Sequence, residues 1–417
     1  MISVAKTVAE TVPARKRKQQ APPFTVYLDH NATTPVDPLV REAILAYLGE
    51  EYANPSSLHA PGRRVKAVLR EHRAQVASLI NASAGEIIFT SGGTESINLA
   101  VKGTVLDGKP GHIITSAVEH PATLRTCEYL ADFGIETTYL PVDVTGMLSP
   151  EDVAGAIRRD TRLISLMLAN NEVGTISPLK EVGAIAEEAG IPFHVDAVQA
   201  VGKIPVDVAS LRCTFLSTSA HKIYGPKGVG ALYVRKGTQL REMQQGGGQE
   251  AHLRSGTENV PGIVGFGKAC EIAKERLTAD AEHMLELRSI LLRLQEELPA
   301  VRLNGHPRAT LPGTLNLCFS FADGMALLLN LSLKGIFVST GSACSVATLK
   351  PSHVLLAMGL SEQNAYSSLR LSLGRGNTRE QIEYAAEQIS CLVTKLRLVT
   401  APEDIGQCGP DCPCHFA

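Results

Sequence analysis

Short runs of apolar, often β-branched residues alternate with longer amphipathic stretches over most of the chain. The apolar runs predict strands over Glu86–Thr90, His112–Ser116, Thr137–Leu140, Leu163–Leu168, Phe193–Val195, Phe215–Ser217 and Ala231–Val234. Several of these runs are apolar throughout, as expected for strands that helices cover on both faces. Arg63–Ile80, with apolar residues at helical spacing, is typical of the stretches between them. This β-α-β order predicts an α/β fold with a mostly parallel seven-stranded sheet.

The pattern changes after about residue 275. The elements predicted beyond it are helices over Ala279–Leu298, Asp323–Leu333 and Arg379–Leu396 and strands over Thr314–Phe319 and Leu369–Leu373. Helices and short strands no longer alternate there as they do in the first part. We therefore predict a large domain over residues 25–275 and a smaller α+β domain over residues 276–402.

Both ends of the chain are polar. Residues 1–24 carry five basic side chains against the single Glu10 and predict a flexible basic tail, with a targeting presequence as the alternative. Residues 403–417 form a second polar tail that is rich in cysteine.

Composition narrows the class of protein. The 40 Lys and Arg residues nearly balance 42 Asp and Glu residues, which argues against the basic surface of a nucleic-acid-binding protein. No apolar stretch approaches the roughly 18 residues that a membrane span requires, and the N-terminus lacks the apolar core of a signal peptide. Six of the nine cysteines are widely scattered, which favours free thiols in a reducing compartment. We therefore expect a cytoplasmic enzyme that contacts neither nucleic acid nor membrane.

Ligands of open parallel sheets bind beyond the carboxyl ends of the strands, so residues just after each strand are the first candidates for a site. Gly92, Gly93 and Thr94 follow the first predicted strand and precede a helical run. Their backbone N–H groups, the helix dipole and the Thr hydroxyl suit an anion. A tight strand-to-helix turn without a ligand is the alternative.

An acid and a lysine follow two later strands. Asp196 closes a buried strand and needs a cationic or hydrogen-bonding partner, unless it caps the next helix. Lys222 follows Ser219 and His221, and a lysine at a buried strand end is rare unless it is paired or reactive. A phosphate cradle, a carboxylate and a lysine together suit pyridoxal 5'-phosphate (PLP), whose phosphate, ring nitrogen and aldehyde need these three partners.

Two further segments carry residues of catalytic type. His120, after the strand His112–Ser116, could stack on a cofactor ring and transfer protons, whereas helix capping is the alternative. Cys344 lies in a loop of small residues, which would let a nucleophilic thiolate enter and leave a cleft. An ordinary loop cysteine is the alternative for this position.

Further motifs occur in a fixed order along the chain. They are Tyr27-Leu28-Asp29-His30-Asn31-Ala32-Thr33-Thr34-Pro35, Asn54-Pro55-Ser56-Ser57, Thr90-Ser91-Gly92-Gly93-Thr94-Glu95-Ser96, Asn170-Asn171-Glu172-Val173-Gly174, His221-Lys222-Ile223-Tyr224-Gly225-Pro226-Lys227-Gly228, Arg254-Ser255-Gly256-Thr257 and Gly341-Ser342-Ala343-Cys344. Through these motifs the chain, from Tyr27 to about Thr400, resembles the cysteine desulfurases of the NifS/IscS-like group. That group belongs to the class-V aminotransferase superfamily of fold-type I PLP enzymes.

The resemblance implies a role for each matching residue. Lys222 would hold PLP as a Schiff base, Asp196 would pair with the ring nitrogen, Gln199 would bond the ring hydroxyl and His120 would stack on the ring. The phosphate contacts would come from Gly93, Thr94, Ser219 and His221, and from Thr257 of the partner subunit in a homodimer. Asn171 and Arg370 would hold the substrate carboxylate, a role that suits the planar guanidinium of Arg370.

The resemblance also implies the reaction. L-cysteine becomes L-alanine, and its sulfur remains on Cys344 as a persulfide. A longer loop around Cys344 resembles the iron–sulfur-assembly group, which implies delivery of sulfur to an acceptor such as an iron–sulfur scaffold protein. Cys344 is then also a candidate contact for an iron–sulfur cluster.

The C-terminal tail departs from the expected family pattern. Cys408, Cys412, Cys414 and His415 could bind zinc or an iron–sulfur cluster, the thiols could relay sulfur, or the tail could be disordered. Metal analysis with and without residues 403–417 separates the first hypothesis from the others.

Two alternative functions remain open at this point. In a selenocysteine lyase the same residues would serve the other substrate. Selenium leaves more readily, so that reaction would not require Cys344. A catalytically inactive scaffold of the same fold would lack the lysine, the acid or the cysteine, whereas this sequence retains Lys222, Asp196 and Cys344. Yellow colour of the purified protein would argue against the scaffold.

Overall fold

The structure is a computed structural model that describes residues 25–341 and 350–400. Its strands are β1 (Val26–Tyr27), β2 (Ile87–Thr90), β3 (Gly111–Ser116), β4 (Ile135–Leu140), β5 (Thr161–Met167), β6 (Phe193–Asp196), β7 (Phe215–Ser219), β8 (Gly230–Val234), β9 (Val301–Asn304), β10 (Thr314–Phe319), β11 (Ile336–Phe337) and β12 (Ser368–Ser372). Its helices are α1 (Pro38–Gly49), α2 (Ala60–Leu79), α3 (Gly93–Val105), α4 (Pro121–Ala131), α5 (Pro150–Gly155), α6 (Leu179–Glu188), α7 (Val260–Leu292), α8 (Leu294–Glu297), α9 (Gly324–Leu333), α10 (His353–Ala357), α11 (Glu362–Tyr366) and α12 (Arg379–Thr400). Short 3₁₀ turns cover Ala84–Glu86, Ala220–Lys222 and Glu250–His252.

Seven strands form the large sheet, in the order β2-β8-β7-β6-β5-β3-β4. The pairs β7–β6, β6–β5, β5–β3 and β3–β4 are parallel, and β8 is antiparallel to both of its neighbours. The predicted α/β fold with a mostly parallel seven-stranded sheet is therefore confirmed. The parallel register places Met167, Asp196 and Ser217 side by side near the carboxyl ends of β5, β6 and β7.

Both faces of the large sheet are buried. In β3, the consecutive residues Ile113 and Ile114 are both inaccessible to solvent, yet they belong to different hydrophobic clusters. Ile114 packs in the cluster that contains Leu166 and Val195, whereas Ile113 packs with Leu163 and other residues on the opposite face. Because successive strand residues point to opposite faces, this two-sided burial explains why the strand sequences are apolar throughout.

A second core forms around a smaller sheet. The strands β12, β10 and β9 are antiparallel, and β1 pairs in parallel with β11. Val26 and Leu28 join Leu315, Leu371 and Ile389 in this core. The N-terminal segment therefore packs with the second core and not with the first. The division at residues 275 and 276 remains a prediction, and it falls inside the continuous helix α7.

Helix α7 begins at Val260, nineteen positions before the predicted start of a helix at Ala279. Glycines weaken the helical signal in its first turns, but they allow close packing. A Cβ at Gly265 would lie 2.9 Å from the Pro226 side chain, and one at Gly267 would lie 2.5 Å from the Cβ of His72 in α2. The same glycines that obscure the helix in the sequence therefore let α7 approach its neighbours.

Several negative findings apply to residues 25–341 and 350–400. None of the helices there combines the length and apolar character that crossing a bilayer requires. That part of the chain also contains no group of three or more His, Cys, Asp or Glu side chains arranged to hold a metal ion. The cysteines at positions 127, 213, 270, 318 and 391 are free thiols.

Gly183 in α6 provides a test of the packing beside the large sheet. A Cβ at this position would lie 2.1 Å from the carbonyl oxygen of Leu211. We expect Gly183→Ala to lower the free energy of unfolding by about 2 kcal/mol, because backbone must move to make room. Urea unfolding measures this change.

Gly155 in α5 is the matched control, because a Cβ there would meet nothing within 4 Å. We expect Gly155→Ala to leave stability unchanged or to raise it by up to about 1 kcal/mol, since alanine favours helix. Equal stability of the Gly183→Ala variant and the unaltered protein would contradict the packing described for α6.

Candidate active site

A cavity of about 250 Å³ lies at the carboxyl ends of the central strands, between the two cores. The predicted site residues that line it are Gly93, Thr94, His120, Asn171, Asp196, Gln199, Ser219, His221, Lys222 and Arg370. These residues come from six separate segments of the sequence. The fold thus brings ten of the residues that the sequence assigned to one site into the same cavity.

The remaining predicted site residues are not among those seen in this cavity. Thr257 is exposed and is not among the residues that line the cavity. Its expected role is in the site of a partner subunit, and that role stays a prediction. Cys344 and the tail residues Cys408, Cys412, Cys414 and His415 lie outside the described residues.

The N-terminus of α3 provides a cradle for an anion. Gly92 precedes the helix with a φ of 153°, and as a glycine it has no side chain to cap the first N–H groups. A Cβ at Gly93 would lie 2.8 Å from the Val198 side chain, so the backbone approaches the cavity wall closely. The buried hydroxyl of Ser219 lies beside Gly92 and has no hydrogen-bond partner within the described part of the chain. Uncapped N–H groups and an unsatisfied hydroxyl are partners that a phosphate group can use.

Lys222 ends the 3₁₀ turn that follows β7, which brings its amine to the floor of the cavity. The Nζ atom donates hydrogen bonds to the backbone oxygens of Asn31 and Ala32, at 2.6 and 2.8 Å. Two backbone carbonyl oxygens thus hold the amine by hydrogen bonds at the cavity.

Asp196 is the last residue of β6 and is buried. Its carboxylate accepts the backbone N–H of Val198 at 3.0 Å. Burial raises the pKa of Asp196 to about 6, against the opposing effects of this hydrogen bond and of Lys222. A second cationic group beside the carboxylate would restore its charge, which is the environment that a protonated ring nitrogen requires.

His120 caps a helix, as one predicted alternative has it, and also lines the cavity. Its stacking on a cofactor ring stays a prediction. Its Nδ1 atom accepts the backbone N–H of Ala122 in α4 at 3.1 Å. Burial, with smaller contributions from Lys222 and His353, lowers the pKa of His120 to about 4. A neutral ring that accepts at Nδ1 carries its proton on Nε2, so the cap fixes the tautomer.

Arg370 and Asn171 also line the cavity. Arg370 in β12 is 2% exposed, and its Nη2 atom donates to Asp29 at 2.6 Å. Its Nη1 atom donates to the backbone oxygen of Asn171 at 3.2 Å, and its buried Nε atom has no partner among the described residues. The neighbouring Asn170 accepts the N–H groups of residues 172 and 173, which turns the chain so that Asn171 lines the cavity.

Sequence reasoning assigned no role to two residues that organise the site. Asn31 accepts from Lys222 and from Gln199 Nε2, and its own amide donates to the Asn171 backbone oxygen and to Thr314. Glu119 is fully buried beside His120; burial raises its pKa to about 8, although hydrogen bonds from the Met167 backbone and Ser116 favour the charged form. A glutamate between Val118 and His120 at a buried strand end was the available signal.

The family model and similar curated proteins point to the same family. Residues 26–385 match the family model described as aminotransferase class-V. The chain is 49% identical over 374 residues to the cysteine desulfurase IscS of Methanosarcina thermophila, covering 89% of this chain and 93% of that protein. It is 45% identical to a mitochondrial cysteine desulfurase of Arthroderma benhamiae, covering 93% of this chain and 78% of that protein.

Solved structures agree with these relatives. A NifS-like protein superposes with a TM-score of 0.84 at 40% sequence identity, over 89% of this chain and all of the other. The structure described as SspA in complex with cysteine superposes with a TM-score of 0.76 at 36% identity, over 85% of this chain and all of the other.

Two buried and two half-buried histidines predict acid sensitivity of the fold. Burial is the largest cause of the lowered pKa values of His30, His120, His194 and His221, which fall from 6.5 to about 4, 4, 3 and 4. The unfolded chain would bind protons at these four positions between pH 6.5 and 4.5, and the folded protein would not. Protonated Glu119 and Asp196 in the folded protein oppose this effect, but they are fewer.

Because the unfolded state binds more protons in that window, stability falls as the pH falls. We expect the free energy of unfolding to decrease by about 2 kcal/mol between pH 7 and pH 5, as measured by urea unfolding. A value at pH 5 equal to or above that at pH 7 would show that these histidines are not held neutral.

Proposed function

The chain belongs to the class-V aminotransferase family and, within it, to the cysteine desulfurases, and on this basis we propose which of its residues carry out the reaction. In the proposal, the cavity binds PLP and L-cysteine, and the products are L-alanine and a persulfide on Cys344. The observation that carries the proposal is the meeting in one cavity of Lys222, Asp196 and the Ser219 hydroxyl, for which residues 25–341 and 350–400 provide no hydrogen-bond partner.

The residues present fit PLP at three points. The uncapped N-terminus of α3 and Ser219 suit its phosphate. Asp196 suits its ring nitrogen, because a cation there would offset the cost of burying the carboxylate. Lys222 supplies the amine that the aldehyde requires. When bound, PLP withdraws electrons from the Cα atom of the substrate.

Lys222 and His120 are the proton-transfer groups of the proposal. Lys222 Nζ would take the proton from the substrate Cα, because the amine lines the cavity and its hydrogen bonds to carbonyl oxygens can be released. The Nδ1 atom of His120 accepts the Ala122 N–H, so Nε2 is the ring nitrogen available to the reacting groups. Its low pKa keeps the ring neutral near pH 7, which avoids a second positive charge beside Lys222.

Arg370 and Asn171 would orient the substrate through its carboxylate. The guanidinium is already desolvated and fixed by Asp29, so little side-chain freedom is lost when a substrate binds. The Nε atom, which has no partner in the described part of the chain, leaves one N–H for a carboxylate without breaking the ion pair.

Cys344 would accept the sulfur. Its thiolate forms a bond to the substrate sulfur while the carbon–sulfur bond breaks, and the electron pair of that bond stays on carbon, which is then protonated to give alanine. The described residues on either side of its segment support this role. A Cβ at Gly341 would lie 3.2 Å from the Glu172 carboxylate, and Ser352 donates a hydrogen bond to that carboxylate, next to Asn171.

The partners of the proposed enzyme are a second subunit and a sulfur acceptor. Arg254 is paired with Glu95 in the first turn of α3 at 2.8 Å, which holds the segment before Thr257 beside the phosphate cradle. We infer that a homodimer places Thr257 at the site of the partner. The acceptor would be an iron–sulfur scaffold or another sulfur carrier, and the chemistry required of it is a thiol that attacks the persulfide.

Incubation with L-cysteine and a dithiol reductant, with alanine and sulfide measured together, tests the proposed reaction. We expect both products in equal amounts, because one sulfur leaves for each carbon skeleton. Pyruvate in place of alanine would contradict the proposed fate of the carbon.

Lys222→Ala tests the proton transfer. We expect alanine formation to fall by at least about a thousandfold, because no other amine in the proposal accepts the Cα proton. Lys227→Met is the control, because Lys227 is an exposed lysine five positions after Lys222. Lys203 is not suitable for this purpose, since its amine donates a hydrogen bond to Asn31 in the site. Undiminished turnover by Lys222→Ala would remove Lys222 from the mechanism.

Cys344→Ala tests the sulfur transfer. We expect the variant to keep the visible absorbance of bound PLP and to lose sulfide release by at least about a hundredfold, because the thiolate nucleophile is gone. Cys391→Ala, at an exposed thiol on α12, is the matched control and should release sulfide normally. Retained desulfuration in Cys344→Ala would exclude Cys344 as the acceptor.

A further inference from the structure

A second lysine lies behind Lys222. Lys203 follows Gln199 by four positions in a helix-like turn, where the N–H of Lys203 donates to Ala200 and that of Val201 to Ala197. Its Nζ atom donates to Gln199 Oε1 at 2.7 Å and to Asn31 Oδ1 at 2.9 Å. The residue is half-buried, and its amine end points into the interior.

The two amides that Lys203 contacts can adopt only one orientation. Asn31 Nδ2 donates to Thr314 and to the Asn171 backbone oxygen, so Asn31 Oδ1 faces Lys203. Gln199 Nε2 donates to the Asn31 backbone oxygen at 2.9 Å, so Gln199 Oε1 faces Lys203. Rotation of the Gln199 amide by 180° would place oxygen against oxygen and N–H against N–H.

Resting on the PLP site proposed above, we propose that Lys203 is a positioning residue: by bonding Gln199 Oε1 and Asn31 Oδ1, it fixes the Gln199 amide so that an N–H faces the ring oxygen of PLP. Gln199 Nε2 carries two N–H groups, and one is used on Asn31. The other is the donor available on the side of Gln199 that lines the cavity.

The electrostatic surroundings suit a positioning role for this amine. Burial, together with Lys222 and Arg370, lowers the pKa of Lys203 well below its usual 10.5. The pKa of the adjacent His30 is lowered to about 4, first by burial and then by Lys203. An uncharged amine still has two N–H groups, which match the two oxygen acceptors. Orientation of the amides therefore holds in either protonation state.

A double-mutant cycle in the holoenzyme tests the proposal with Lys203→Met and Gln199→Leu. The measured quantities are the dissociation constant for PLP and the midpoint pH of the visible absorbance of bound PLP. We expect Lys203→Met alone to weaken PLP binding about tenfold and to raise the midpoint by about one pH unit, since a hydrogen bond to a charged oxygen is lost. In the Gln199→Leu background, Lys203→Met should change neither quantity further.

Lys274→Met is the matched control, because that exposed amine bonds Ser78 on the surface. It should leave both quantities unchanged. Equal shifts from Lys203→Met in both backgrounds, or no shift in either, would overturn the proposal. If Lys203→Met does not fold, Lys203→Gln takes its place in the cycle and should give a smaller shift that again vanishes with Gln199→Leu. Absence of any visible absorbance in the unaltered protein would refute the PLP site itself and not the role of Lys203.

Discussion

Burial of charge at the ends of parallel strands is the constraint on which the site depends. Asp196 and Lys222 follow adjacent strands of the large sheet and line the same cavity, so each reduces the cost of burying the other. A carboxylate with a raised pKa and an amine held by carbonyl oxygens leave room for a ligand that carries both a cationic nitrogen and an electrophilic carbon.

The segment around Asn31 connects this charge pair to the rest of the molecule. Its backbone oxygen serves Lys222 and Gln199, its amide reaches Thr314 in the small sheet, and its backbone N–H donates to Ser372. Because β1, just before it, pairs with β11, the N-terminal residues belong to the small core while they organise the large-domain site. The two cores are thus held in register at the cavity by one short stretch of chain.

The strands could be predicted from the sequence, because burial on both faces leaves a run of apolar residues. The residues that follow them could be selected because ligands bind at the carboxyl ends of parallel strands. Asp196, Lys222 and His120 were found in this way. Asn31 and Lys203 were not, since their importance comes from hydrogen bonds between segments more than 150 positions apart. The predicted start of helix α7 lies nineteen positions after its actual start for a similar reason. Its glycines allow contacts with distant residues but have a low local helix propensity.

The contacts of Arg370 show how the proposed carboxylate site would be prepared before a substrate arrives. A guanidinium that is 2% exposed would be costly without a counter-ion, and Asp29 supplies one at 2.6 Å. If Asp29 filled every N–H of the guanidinium, a substrate carboxylate would have to displace it and would gain little. Asp29 instead accepts from one terminal nitrogen and the Asn171 backbone oxygen from the other, while no described residue accepts from Nε. The ion pair therefore offsets the free-energy cost of burying Arg370. It still leaves the Nε N–H as a donor for a substrate carboxylate.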